Sequence, residues 1–191
     1  VPQRICGHVT LGKYHDIEVE DEATAVFHYD NGLLGHFHTS TAECPGTNRL
    51  EVAGEHGKLV LEDGKLRHWK HKVSMLRHLK ESKDGFKPVE HEVSEVPIPG
   101  DEGPYRAHAK VLDTFYDAIT KGAPLIATAE EGLNSIAMSN ALMLSSFNGR
   151  TVDVFGDPTA FELKLRELVD SSRLQKKVAG GSLDFEGSWK T

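Results

Sequence analysis

The chain has 191 residues and a formal net charge of −7, and 38% of its residues are hydrophobic, which suits one globular domain with its own core. Its acidic charge and the lack of an apolar stretch long enough to cross a bilayer argue against nucleic acid and membrane as partners. Two cysteines, Cys6 and Cys44, make no disulfide framework, so we expect inert thiols in a cytoplasmic protein.

The first half of the chain has the pattern of antiparallel strands joined by short turns. A strand is predicted at 4–14, and the turn residues 30–32 then separate two runs rich in aromatic and β-branched residues, which predicts a hairpin. Further strands are predicted at 48–54, 58–62, 65–70 and 86–96, and the charged stretch 74–85 is predicted to be a loop.

The glycine pair in the stretch Gly54-Glu55-His56-Gly57-Lys58 could be a phosphate-binding loop or a corner between two strands. A phosphate loop needs a helix directly after it, whereas the residues at 59–62 alternate like a strand. The chain also contains neither a G-x-G-x-x-G run nor the Walker spacing. We therefore predict a strand-to-strand corner and expect no nucleotide cofactor to bind this chain.

The second half of the chain is predicted to be helical. Residues 105–121 place apolar side chains three and four positions apart, at Val111, Leu112, Phe115 and Ile119. A capping box from Thr128 to Glu131 opens a second helix that ends at Asn148-Gly149, and Asp157-Pro158 opens a third. Strands followed by helices predict an α+β fold, with one large open, mostly antiparallel sheet and helices on one face. We expect one domain at 1–174 and an extended arm at 175–191.

Four segments of the chain together resemble the C-terminal domain of the glucose–fructose oxidoreductase / inositol dehydrogenase / MocA family (Gfo/Idh/MocA). They occur in the family's order and spacing: IEVEDEATAVFHYDNGLLGHFHTSTA, RLEVAGEHGKLVLEDGKL, HAKVLDTFYDAITKGAPL and EEGLNSIAMSNALMLSSFNGRTVDV. The resemblance implies a parent enzyme with an N-terminal Rossmann domain that binds NAD or NADP. It also implies hydride transfer between the nicotinamide and a sugar, a polyol or a related hydroxy compound.

The same resemblance implies that the bare face of the sheet forms a homo-oligomer interface. The family's Rossmann glycines and its lysine motif are missing, and its Asp and His pair is expected upstream of Val1. Lys87-Pro88 does not supply that lysine motif, because Phe86 precedes it in a predicted strand. The chain is therefore expected to be a fragment that is inactive alone, with no catalytic, cofactor-binding or metal-binding residue.

His108 lies on the apolar stripe of the helix at 105–121, close to its start, and this stripe is predicted to be buried. It can face the substrate cleft and bind a sugar hydroxyl, or it can be a core-edge histidine bonded to a carbonyl. Tyr105, about one turn earlier, could share the substrate site. Asn140 lies on the apolar side of the next helix, where it either caps a loop carbonyl or touches ligand.

His36 and His38 place two imidazoles on one face of a strand, at a spacing that some metal sites use. If Asn31-Gly32 is a two-residue turn, His36 lies opposite Phe27 and His38 opposite Ala25, and no third ligand is visible. These histidines otherwise decorate an open sheet face at a subunit contact.

Three hypotheses remain open from the sequence. The first is the substrate-binding and oligomerisation domain of an NAD(P)-dependent oxidoreductase. The second is a non-enzymatic assembly or sugar-binding module of the same fold, and the third is a metal-dependent enzyme that uses His36 and His38. A glycine-rich strand–turn–helix segment upstream would favour the first hypothesis, and metal analysis of the purified protein tests the third.

Overall fold

The computed structural model describes residues 1–98 and 106–174, without the side chains of Arg106 and Ala107. The chain divides into two compact units: Val1–Ala42 with Ala129–Thr191 forms unit 1, and Glu43–Thr128 forms unit 2. The described elements, in chain order, are β1 (Arg4–Leu11), β2 (Glu20–His28), β3 (Leu34–Ser40), β4 (Arg49–Gly54), β5 (Gly57–Glu62), β6 (Lys65–His71), α1 (Met75–Glu81), β7 (His91–Val96), α2 (Arg106–Lys121), α3 (Ala129–Asn148), β8 (Val152–Asp153) and α4 (Pro158–Ser171).

Unit 1 is built on a four-stranded antiparallel sheet in the order β3-β2-β1-β8. Successive side chains of a strand point to opposite faces, so alternate residues of β1 and β2 face the same side. The buried set is Ile5, Val9, Ala23 and Ala25. These residues form one core with Ala141 and Leu142 of α3 and with Val154.

The contact between α3 and β1 is unusually close because Gly7 has no side chain. A Cβ atom at Gly7 would lie 2.7 Å from the carbonyl oxygen of Leu142. At this point two hydroxyl groups of α3 accept hydrogen bonds from the strand: Gly7 N donates to Ser145 Oγ and Val9 N to Ser146 Oγ, both at 2.9 Å. These hydroxyls satisfy amides of β1 that the two-residue strand β8 does not reach.

The hairpin between β2 and β3 forms as predicted, but its loop is one residue longer than a two-residue turn. Tyr29 N donates to Leu33 O and Gly32 N donates to Tyr29 O, each at 3.1 Å, which leaves three residues in the loop. Gly32 takes the left-handed φ of 82° while Asn31 does not, so this is a three-residue loop closed by glycine.

The longer loop shifts the register of the hairpin by one residue. His36 therefore lies opposite Val26 and His38 opposite Thr24, and the predicted partners Phe27 and Ala25 are wrong. The two imidazoles still share one face of the sheet, because residues two apart on a strand do so in any register.

Unit 2 holds the second antiparallel sheet, in the order β4-β5-β6-β7. The predicted corner is confirmed, since Gly54 pairs with Gly57 across a two-residue turn between β4 and β5. Glu62 pairs with Lys65 across a second two-residue turn, in which Asp63 takes a left-handed φ of 51°. Neither corner leads into a helix.

The predicted loop at 74–85 is wrong, because Met75–Glu81 forms the short helix α1. Ser74 caps it by accepting a hydrogen bond from Arg77 N, and Arg77 and Glu81 pair across one turn. The following strand is shorter than predicted, with β7 starting only at His91.

The α+β class and the antiparallel strands are confirmed, with the strands divided between two four-stranded sheets instead of one large sheet. The chain between β3 and β4 includes Pro45, which cannot donate a ladder hydrogen bond. The three predicted long helices are confirmed as α2, α3 and α4, and Asp157 caps α4 by accepting from Thr159 N. The predicted arm at 175–191 lies outside the described residues.

Candidate functional site

His108 lies in the first turn of α2 and its side chain is exposed. The stripe on which it lies was predicted to be buried, and this is wrong for the described structure, where Leu112 is 69% and Ile119 is 70% exposed. Helical periodicity shows that a face is apolar, but it does not show what covers that face. Tyr105 lies outside the described residues, so substrate contact by His108 and Tyr105 stays a prediction.

A concave site of about 550 Å³ lies in unit 1 between α3, β8 and α4. Its apolar lining comes from Leu133, Ile136, Leu144, Phe155 and Phe161. Asn140, Arg150 and Asp157 add an amide, a guanidinium and a carboxylate to this lining. The volume is in the range of small-molecule sites, which combine apolar walls with a few polar groups.

The polar groups that line this cavity differ in whether they already have hydrogen-bond partners within the chain. The hydroxyl and the amide of Thr159 donate to Asp157 Oδ1 at 2.7 and 2.9 Å, and they hold the pKa of Asp157 below its ordinary value. The Asn140 amide and the Arg150 guanidinium make no hydrogen bond to the described residues, so both are available to a ligand.

The face of the unit 1 sheet opposite α3 carries four histidines. His8, Thr24 and His38 form one row across the three long strands, His36 lies in the next row on this face, and His28 lies in the row after that. We call this the histidine face; its members on β1, β2 and β3 are Arg4, Cys6, His8, Thr10, Glu22, Thr24, Val26, His28, Leu34, His36, His38 and Ser40. His8, His36 and His38 are exposed.

Within the described residues, His36 and His38 meet no third side chain that could complete a metal site. The described ranges bring together no group of three or more His, Cys, Asp or Glu residues that could hold a metal ion. Cys6 and Cys44 are both free and exposed.

Asp21 is a buried carboxylate that the sequence reasoning missed. It is 3% exposed and accepts hydrogen bonds from the amides of Lys13, Tyr14 and His15 at 2.7–3.2 Å. Burial alone would raise the pKa of Asp21, but these amides and the His15 imidazole outweigh burial and hold it below its ordinary value. The sequence did contain a sign of this burial. Asp21 lies two residues before the buried Ala23 on the same strand, so the two side chains point to the same face.

Among the helices that the structure describes, none combines the length and the apolarity needed to cross a membrane. Among curated proteins, none matches this chain.

Comparison with solved structures identifies the fold. The NAD-binding protein from Listeria innocua superposes with a TM-score of 0.58 at 16% identity, over 81% of this chain and 42% of that one. The WlbA dehydrogenase from Bordetella pertussis, solved with NADH and UDP-GlcNAcA, gives 0.57 at 16% identity, over 82% and 41%. Levoglucosan dehydrogenase in complex with NADH gives 0.59 at 16% identity, over 80% and 45%. The chain thus spans less than half the length of each of these proteins.

A family model described as the oxidoreductase family, C-terminal alpha/beta domain, matches residues 6–154. This match spans the strands of both sheets from Cys6 onwards together with α2 and α3, and it ends before α4. The chain therefore belongs to the Gfo/Idh/MocA family of oxidoreductases and corresponds to the C-terminal α/β domain of that family.

Proposed function

We propose that this chain is the substrate-binding and oligomerisation domain of an NAD(P)-dependent oxidoreductase that acts on a sugar, a polyol or a related hydroxy compound. The observation that carries the proposal is the match of residues 6–154 to the C-terminal domain of an oxidoreductase family. The share of each solved relative that the chain covers, 41–45%, supports a missing N-terminal Rossmann domain.

The dinucleotide belongs to that missing domain, because no described residue of this chain fits it. A dinucleotide site needs a glycine-rich turn that leads from a strand into a helix N-terminus. The corner at Gly54–Gly57 joins two antiparallel strands instead. The groups that move the hydroxyl proton in the parent are likewise assigned to residues upstream of Val1, and this chain binds and orients the substrate.

We assign substrate contact to His108 and Tyr105, which come at the start of α2 and just before it. An exposed imidazole can both donate and accept hydrogen bonds, which suits a sugar hydroxyl. The substrate class is supported by two relatives, one solved with UDP-GlcNAcA and one a levoglucosan dehydrogenase. The cavity of unit 1, with Asn140 and Arg150 in its lining, is a second place where a hydroxyl-rich molecule could bind.

We also propose that two copies of the chain associate through the histidine face. Leu34 on this face is 53% exposed, and α3 covers only the opposite face of the sheet. An exposed sheet face of this kind is a candidate for contact with another copy. The cytoplasm is proposed as the compartment because both thiols are free and exposed, which a reducing environment preserves.

The test uses the full-length protein, whose upstream sequence is read first for the G-x-G-x-x-G segment. With NAD or NADP and a panel of sugars and polyols, we expect saturable reduction of the dinucleotide. His108→Ala should raise KM about 3- to 10-fold, the effect of losing one neutral hydrogen bond, with little change in kcat.

His56→Ala is the matched control, because His56 lies in the turn between β4 and β5 and should leave KM unchanged. An upstream sequence without a dinucleotide-binding segment would refute the oxidoreductase and favour the assembly or sugar-binding module. Unchanged KM in His108→Ala would refute only the role of His108.

A further inference from the structure

The histidine face concentrates four of the eleven histidines of the chain on three adjacent strands. His8 and His38 lie on either side of Thr24, and His36 lies opposite Val26. His28 is two residues along β2 from Val26, so it is a diagonal neighbour of His36. Imidazole is the side chain whose charge ordinarily changes between pH 5 and 8, so this face can change charge as a group.

The fixed charges around these imidazoles nearly cancel. Arg4 of β1 lies opposite Asp153 of β8, so both project to this face. Glu22 of β2 is bound by Lys13 Nζ at 2.7 Å and by the Tyr14 hydroxyl, and its carboxylate also interacts electrostatically with His38. The remaining titratable group is the Cys6 thiol on β1. With neutral imidazoles the face therefore carries two positive and two negative groups, and with protonated imidazoles it gains four positive charges per copy.

The near-cancellation of fixed charges on the histidine face favours a second copy of the chain as the partner. Unit 1 as a whole is acidic, with 9 Lys and Arg against 15 Asp and Glu. In a two-fold contact the same patch lies against itself, so a strongly charged patch repels its own copy. The histidine face is a near-neutral area within an acidic unit, which suits it to such a contact while its imidazoles are neutral.

We propose that protonation of the histidine face controls self-association: two copies associate through it when His8, His28, His36 and His38 are neutral and separate when these are protonated. The inference rests on the self-association proposed above. Enclosing a protonated imidazole between two sheets removes its hydration, and the facing copy offers the same positive groups instead of an anion. Association must therefore release protons, so it weakens as the pH falls.

The net charge of the chain predicts stronger association at lower pH, which is the opposite of the proposed effect. The two explanations can therefore be separated by experiment. The isoelectric point is about 5.9, so acidification from pH 7.5 towards 5.5 brings the chain close to zero net charge. Proteins near zero net charge generally associate more readily. A loss of association over this range can therefore not come from general charge repulsion.

The experiment is sedimentation equilibrium of the chain at several pH values between 7.5 and 5.5, at constant salt. We expect the dimer Kd to rise by at least about tenfold per pH unit as the pH falls within this range, which corresponds to one or more protons released on association. The variant His8→Gln, His28→Gln, His36→Gln, His38→Gln should associate at pH 5.5 at least as strongly as at pH 7.5. Its fold is checked by circular dichroism.

The matched control replaces four histidines of unit 2, His56, His68, His71 and His91, by glutamine and should keep the full pH response. Association that is present at pH 7.5 and equally strong at pH 5.5 would overturn protonation control but leave the proposed self-association standing. A chain that is monomeric at every pH would overturn both. Since the slope of log Kd against pH is measured on the unmodified chain, the conclusion does not depend on the variants folding.

Discussion

The buried carboxylate of Asp21 is held mainly by hydrogen bonds from main-chain amides. Three successive amides, of Lys13, Tyr14 and His15, converge on its carboxylate and so fix the chain between β1 and β2. A carboxylate bonded in this way keeps its charge despite burial, because each amide stabilises the ionised form. Asp21 is thus the residue that fixes this connection to the edge of the core.

The substitution Asp21→Asn tests this role through the pH dependence of stability. The pKa of Asp21 is lowered in the folded chain, so its contribution is present above the ordinary carboxyl pKa of about 3.9 and is lost as the pH falls through the folded value. Asp21→Asn should therefore be less stable than the unmodified chain at pH 7, and the difference should shrink below pH 4.

The measurement is the free energy of unfolding in urea at pH 7, 5 and 3. Asp16→Asn, at an exposed residue of the same connection, is the control and should change stability little at any of these pH values. A destabilisation of Asp21→Asn that stays constant down to pH 3 would contradict the assigned role.

At the scale of elements, the contact of α3 with β1 organises unit 1. Ser145 is 2% exposed, and its hydroxyl accepts from Gly7 N at 2.9 Å and donates to the carbonyl of Arg150 at 2.7 Å. One side chain thus joins the strand, the helix and the turn that leads into β8. Removing this hydroxyl leaves two main-chain groups without a partner.

Ser145→Ala should therefore destabilise the chain by about 1–3 kcal/mol, the cost of buried polar groups that have lost their partners. Guanidinium unfolding followed by circular dichroism measures this difference. Ser139→Ala is the control, because the hydroxyl of Ser139 is exposed and bonds only a carbonyl within its own helix. Equal stability of the two variants would show that water replaces the Ser145 hydroxyl.

Elements with a strong local signal could be predicted from the sequence. The Asp157-Pro158 start of α4 and the corner at Gly54–Gly57 depend only on neighbouring residues, and both are confirmed. The length of the hairpin loop at 30–32 could not be predicted, because Asn-Gly is compatible with loops of two or three residues. Helix α1 is only seven residues long, too short for a periodic pattern to emerge from a charged segment.

The candidate site could be predicted only in part. The sequence placed His36 and His38 on a common face, but the addition of His8 and His28 depends on the register of three strands. The cavity of unit 1 is formed by α3, β8 and α4, which follow one another in the sequence. The sequence pattern does not show how these elements fold back on one another, so of the polar lining only Asn140 was identified beforehand as a possible ligand contact.

At the scale of the whole molecule, the chain corresponds to one domain of its family, the C-terminal α/β domain. The match to the C-terminal domain of the family and the share of less than half of each solved relative point the same way. The apolar residues left exposed on α2, such as Leu112 and Ile119, agree with a chain that has further contacts to make.

The chain alone should not bind a dinucleotide with micromolar affinity, since its glycine corners join antiparallel strands. Isothermal titration of NADH and NADPH into the chain should give no saturable heat, whereas the full-length protein should bind. A micromolar Kd for the isolated chain would contradict the assignment of the cofactor to the missing domain.

The hydroxyls of Ser145 and Ser146 occupy positions on β1 where an adjoining strand would otherwise pair. An unpaired strand edge can pair with strands of other chains, and here helix α3 occupies part of the β1 edge. The outer strand on the other side of this sheet is β3. The outer strand β8 is only two residues long, so within the described ranges β3 has the longer free edge of this sheet, and a fusion or a designed binder that adds a strand should be directed there.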